Sequence, residues 1–104
     1  MLTVKEIEKN YCDRDTCIAL CEIGYSIVNY ELAGSIHLYD AQKFLREQKD
    51  IFIYPAIDKF LDEEGNTIWI TYMYIPYVSV RAICKRKTYE DALLEGIKEA
   101  IIFI

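Results

Sequence analysis

Three cysteines stand close together near the start of the chain, Cys12, Cys17 and Cys21, with a fourth far away at Cys84. On a helix, Cys17 and Cys21 would lie one turn apart on the same face, where their sulfurs could meet a single metal ion. Structural zinc, however, usually takes two closely spaced pairs held by tight turns. This chain has no second pair, so a fourth ligand would have to be Cys84 or His37. The spacing matches no iron–sulfur pattern either. The expectation is buried thiols packed as small hydrophobic groups, with no metal and no cofactor.

Arg81, Lys85, Arg86 and Lys87 form a second group, a local positive patch on a chain of net charge -5. They precede a predicted helix whose N-terminal amides favour an anion. A small anionic ligand or a nucleic-acid backbone is what such a site would take. Glu90 and Asp91 occupy the first turn of that helix and compete for the same amides. A solvated strand end, whose charges also discourage edge pairing, accounts for the same residues. The overall acidity argues against a protein that grips nucleic acid by its phosphates.

Catalysis has little to stand on. His37 is the only histidine, and Ser35 beside it lacks the setting of a nucleophile elbow. Glu63 and Glu64 read as a solubilising turn rather than an acid–base pair. The four glycines are scattered and form no phosphate loop. With no poised pair of groups, the chain reads as non-enzymatic.

The remaining positive feature is aromatic. Nine tyrosines are many for 104 residues, and tyrosine suits half-buried faces and contact surfaces. Phe52, Tyr54, Tyr72 and Tyr74 share one sheet face if their two strands pair in the simple register. Tyr25, Tyr30 and Tyr39 come from the segment expected to approach it. Two readings stay open: ordinary cross-strand packing, or an interface with a protein partner or a second copy.

The elements that must position these residues follow from caps and periodicity. Thr3 with Glu6 is a capping-box pattern that predicts a short helix from Val4 to Asn10. Asp13 or Asp15 caps a second helix from Thr16 to Ile23, closed by Gly24. Residues 25 to 37 are ambiguous: 25 to 30 could be a strand, and Gly34-Ser35 marks a turn. Leu38 to Lys49 is a clear amphipathic helix. The pattern then switches to period two, with Ile51, Ile53, Pro55 and Ile57 on one side and Phe52, Tyr54 and Ala56 on the other. Pro55 places that strand at an edge or a bulge.

Residues 63 to 66 read as a hairpin turn, and a long strand from Thr67 to Ile75 follows, ended by Pro76. Val78 to Lys85 is a third strand, with Val78, Val80, Ala82 and Cys84 on one side and Ser79, Arg81, Ile83 and Lys85 on the other. Thr88 caps a last helix whose buried stripe is Ala92, Leu93, Ile97, Ala100, Ile101 and Ile104. The expected class is α+β: a three-stranded antiparallel meander with helices before and after it. Both faces of the central strand are apolar, so the second face needs a cover. Either the N-terminal helices supply it, giving an α-β-α sandwich, or a second subunit does. Helix, three strands, helix is also the order of double-stranded-RNA-binding domains, but the basic surface they require is missing.

At this length the chain is one domain, with residues 38 to 104 as its core and 1 to 37 as an N-terminal portion. Charge appears almost at once after Met1, which argues against a signal peptide. No stretch approaches the length of a membrane span. A cytoplasmic protein with reduced thiols is expected.

The run Ala41-Gln42-Lys43-Phe44-Leu45-Arg46-Glu47, then Ile51 to Pro55, Trp69, Tyr89-Glu90, Ala92-Leu93, Gly96-Ile97 and Ala100 form a pattern over residues 38 to 103. In it the chain resembles a group of short uncharacterised proteins common in gut Bacteroidales genomes and their prophages. Phe44 stands where that group carries tryptophan. A looser similarity is to the phage α-β-α sandwich domain. Neither likeness implies an activity or a functional residue; what it implies is a mobile-element setting.

Overall fold

A computed structural model describes Thr3, residues 7 to 26 and residues 36 to 104. Its elements in chain order are α1 (Arg14–Glu22), α2 (Leu38–Lys49), β1 (Phe52–Lys59), β2 (Ile68–Ile75), β3 (Ser79–Arg86) and α3 (Tyr89–Phe103). The three strands form one antiparallel sheet in the order β1-β2-β3. The class is α+β, with helices before and after the sheet.

Each helix begins where a side chain can take its orphan amides. Asp13 caps α1 by accepting from the Thr16 amide at 2.8 Å. Nδ1 of His37 caps α2 by accepting from the Tyr39 amide at 3.0 Å. The Thr88 hydroxyl caps α3 by accepting from the Asp91 amide at 3.1 Å. Asp50 ends α2 in the left-handed region, at φ 54°. The hairpin joining β1 to β2 is built on Asp62, whose carboxylate accepts from the amides of Glu64 and Asn66. Gly65 supplies the positive φ that this turn requires.

Of the predicted helix from Val4 to Asn10, residues 4 to 6 lie outside the described residues. Its described part is helical at Ile7 and Glu8, with Ile7 N–H donating to the Thr3 carbonyl at 3.1 Å, and closes in a turn in which Asn10 N–H donates to Ile7 and Tyr11 N–H to Glu8. Of the strand expected over 25 to 30, Tyr25 and Ser26 are described and are not in a strand, while residues 27 to 30 and the turn at Gly34-Ser35 lie outside the described residues. Tyr11 and His37 form an antiparallel bridge, which ties the N-terminal segment to the start of α2.

One core lies between the helices and one side of the sheet. Cys12, Cys17 and Leu20 meet Leu38, Ala41 and Leu45 of α2, Ile51 and Ile53, Met73 and Ile75 of β2, and Leu93, Ile97 and Ala100 of α3. The α3 stripe differs from expectation at two positions. Gly96 belongs to it, and Ile104 lies half-exposed beyond the helix end. Gly96 sits so close to the sheet that a β-carbon there would fall 2.5 Å from Ile53 Cγ2 and 2.7 Å from Thr71 Cγ2. The buried Thr71 hydroxyl donates to the Ala92 carbonyl at 2.7 Å, so strand and helix touch almost backbone to backbone.

The question of the second sheet face has an answer here. α1 packs against α3 within the helical layer, and α2 contacts β1 and α3 from the same side. The Cα positions span only 18 Å along the shortest axis, the depth of one sheet and one layer of helices. Among the described residues, the N-terminal helix is therefore not the second cover of an α-β-α sandwich.

The α1–α3 contact is pinned by Lys98, whose ammonium lies 2.9 Å from Asp13. Partial burial alone would raise the Asp13 carboxyl, but the Thr16 amide and Lys98 outweigh it and hold the group at about 2. A carboxyl lowered in the folded state stabilises the fold above its ordinary value and loses that contribution as pH falls. The contribution of Asp13 is thus present above about 4 and lost between about 4 and about 2. Asp13→Asn keeps a good cap but loses the charge. Urea midpoints measured from pH 5 to pH 2 should fall less steeply for that variant than for the natural chain.

Candidate functional site

The strand register settles where the aromatic residues go. Phe52 pairs with Tyr74, and Tyr54 with Tyr72, across β1 and β2. The Tyr54 and Tyr72 rings stack at 5.5 Å, and Phe52 and Tyr74 lie 5.8 Å apart. All four therefore share the face turned away from the helices, as the simple register requires. Val80, paired with Tyr74, and Ala82, paired with Tyr72, extend that face onto β3. Tyr54, Tyr74 and Val80 are 42%, 38% and 58% exposed.

Tyr25 and Tyr39 do not approach this face. Tyr25 packs edge-on against Phe44 of α2 at 5.3 Å, and Tyr39 sits exposed on α2. Tyr30 lies outside the described residues. Sequence reasoning missed Tyr77, which is fully exposed at the tip of the β2–β3 turn. Its φ of 63° is one that glycine adopts most cheaply. Val78 N–H donates to Ile75 across that turn at 3.0 Å. The only sequence signal was Pro76, which favours the position before such a residue.

The four cations do not form one patch. A bulge between Cys84 and Ala82 leaves Ile83 as an extra residue on β3. It breaks the expected alternation: Cys84, opposite Thr71, lies on the helix side rather than with Val80 and Ala82. Arg86 also turns to the helix side and pairs with Glu95 of α3 at 3.6 Å. Arg81 lies over the Phe103 ring, 5.9 Å from its centre. Lys85, opposite Ile70, points to the aromatic face and meets Asp58 at 3.2 Å. Lys87 reaches Glu64 in the hairpin at 3.7 Å. An anion arriving here would displace a carboxylate at three of the four cations.

The cysteines do not converge. Cys12 and Cys17 are buried, with the Cys17 thiol donating to the Cys12 carbonyl at 3.6 Å, whereas Cys21 is exposed and Cys84 half-buried. His37 is engaged as the α2 cap, with its ring edge-on to Tyr11 at 5.3 Å. Among the described residues, no three His, Cys, Asp or Glu side chains are placed to hold a metal ion. Burial, followed by the neighbouring Cys17 and Asp13, pushes the Cys12 thiol up to about 12. Burial also raises Cys17. Because the thiolate is the reactive form, a maleimide added to native protein should label Cys21 first and Cys84 more slowly. Cys12 and Cys17 should be labelled only after denaturation, which peptide mapping reads directly.

No family model, curated protein or solved structure matches this chain. Among the described residues, no helix is long and apolar enough to cross a membrane. The aromatic sheet face is thus the candidate site on physical grounds: aligned, partly exposed rings, with charge gathered at the hairpin end in Lys59 and the Lys85–Asp58 pair.

Proposed function

We propose that this chain is a small cytoplasmic accessory protein, without catalytic chemistry of its own, that presents the tyrosine face of its sheet to a protein partner. The observation that carries this reading is the pairing of Phe52 with Tyr74 and of Tyr54 with Tyr72 on the face opposite every described helix. A half-exposed antiparallel sheet normally turns polar side chains to water. Here Ala56, Ile68 and Ile70 continue the aromatic rows instead. Large rings with few rotatable bonds lose little entropy on binding, which is why tyrosine is favoured at interfaces. The resemblance of residues 38 to 103 to Bacteroidales and prophage proteins supports a mobile-element setting for such an accessory protein.

The test is a photo-crosslinking amino acid placed at Tyr54, with Tyr39 on the helical side as the control position. Irradiation in the cells that make the protein should give adducts from the Tyr54 position and not from the Tyr39 position. Tyr72→Ser combined with Tyr74→Ser should remove those adducts while the far-ultraviolet circular dichroism stays native. Equal crosslinking from both positions, or none from the sheet face, would defeat the reading.

A further inference from the structure

We infer that Cys12 and Cys17 are a redox pair that closes to an internal disulfide when the protein meets a hydroperoxide, fastening the start of α1 to the segment ahead of it. This is independent of the reading of the sheet face.

The helix cap brings the two thiols together. Asp13 is the N-cap of α1, so Cys12 stands just before the cap and Cys17 is the fourth residue of the helix. Side chains at those two positions fold over the cap and meet, commonly as a pair of apolar groups. In this chain both are thiols. Cys17 N–H donates to the Asp13 carbonyl at 3.0 Å, closing the first turn. The Cys17 thiol reaches back to within 3.6 Å of the Cys12 carbonyl, and the two thiols hydrogen-bond to one another. Cys21 and Cys84 stand apart from this arrangement, one exposed near the end of α1 and the other half-buried on β3.

The backbone around the pair gives the bond something to hold. Cys12 N–H donates to the Ile36 carbonyl at 2.8 Å, and Leu38 N–H donates to the Asn10 carbonyl at 2.9 Å. Residues 10 to 12 therefore run as a strap beside the start of α2. A bond from Cys12 to Cys17 ties that strap to the first turn of α1.

Burial selects the chemistry. Both thiols are buried, and burial first, then the Asp13 carboxylate, keeps them protonated and slow to react. An oxidant reaches them when the strap lifts from α1. One thiol gives up its proton and attacks the O–O bond of hydrogen peroxide, which yields a sulfenic acid and water. The second thiol then attacks the sulfenic sulfur, the S–S bond forms, and a second water leaves. Two thiols and one peroxide thus become one disulfide and two waters. A partner thiol already at hand favours this outcome over further oxidation of the sulfenic acid. A dithiol reductant reverses it by exchange.

The test is peroxide treatment of the folded full chain carrying Cys21→Ser and Cys84→Ser, which leaves only the pair. Intact-mass spectrometry should show a monomer lighter by about 2 Da. Maleimide added after denaturation should label neither cysteine until dithiothreitol is supplied. The oxidised protein should unfold at a higher urea concentration than the reduced protein. In the natural chain, trypsin cuts after Arg14, so the same bond should appear as two peptides held together until reduction. Two free thiols after peroxide, or oxygen added in place of hydrogen lost, would overturn the pairing. So would a disulfide between separate chains, or one that forms only in urea.

Discussion

Replacing Gly96 with alanine is expected to lower the stability of this protein by about 1–3 kcal/mol, although alanine is the better helix former by about 1 kcal/mol. The added carbon has nowhere to go. It would lie 2.5 Å from Ile53 Cγ2 and 2.7 Å from Thr71 Cγ2. Both methyls branch directly from Cβ on paired strands, so neither can swing aside as the end of a long side chain could. Relief requires α3 to move away from the sheet, and that stretches the hydrogen bond from the Thr71 hydroxyl to Ala92. The penalty therefore exceeds the gain in helix propensity. Thermal unfolding should show a melting temperature lower by on the order of 10 °C. A melting temperature equal to or above that of the natural chain would mean that α3 does not approach the sheet this closely.

Ile97→Ala is expected to cost more, about 2–5 kcal/mol, the range for truncating a fully buried aliphatic side chain. Ile97 has no exposed surface and belongs to the core shared by all three helices and the sheet. Its loss leaves a cavity ringed by residues that cannot collapse together, because β1 and β2 hold one another in register. The same substitution at Ile102 on the same helix should cost under about 0.5 kcal/mol, since that side chain is 76% exposed. Chemical denaturation of the two variants, read by tryptophan fluorescence, checks the contrast. Trp69 is a suitable reporter because it packs edge-on against Tyr89 at the start of α3, 5.3 Å between ring centres.

These positions also show what a single sequence reveals. The α2 boundaries and the facing of Phe52, Tyr54, Tyr72 and Tyr74 were legible because period 3.6 and period two are local signals. The role of Gly96 was not, since it depends on methyls 43 and 25 residues away in the chain. The bulge at Ile83 was hidden because Ala82, Ile83 and Cys84 are all apolar, so either phase of the strand reads as an acceptable alternation. The cationic run looked like one patch because sequence displays neighbours. Its actual partners, Asp58, Glu64 and Glu95, come from a strand, a turn and a helix. The placement of α1 was equally non-local, resting in part on Lys98 meeting Asp13.

The consequence for function is an asymmetric molecule. Helices, buried thiols and most of the paired charge lie on one side, and the row of Phe52, Tyr54, Tyr72 and Tyr74 lies on the other. The most direct measurement of that central claim is tyrosine nitration of the native protein followed by peptide mass spectrometry. The account predicts nitration of Tyr54 and Tyr74 on the sheet face and of the turn residue Tyr77, all of them exposed. The half-buried Tyr25 and Tyr72 should be modified more slowly. Unreactive Tyr54 and Tyr74 would contradict it.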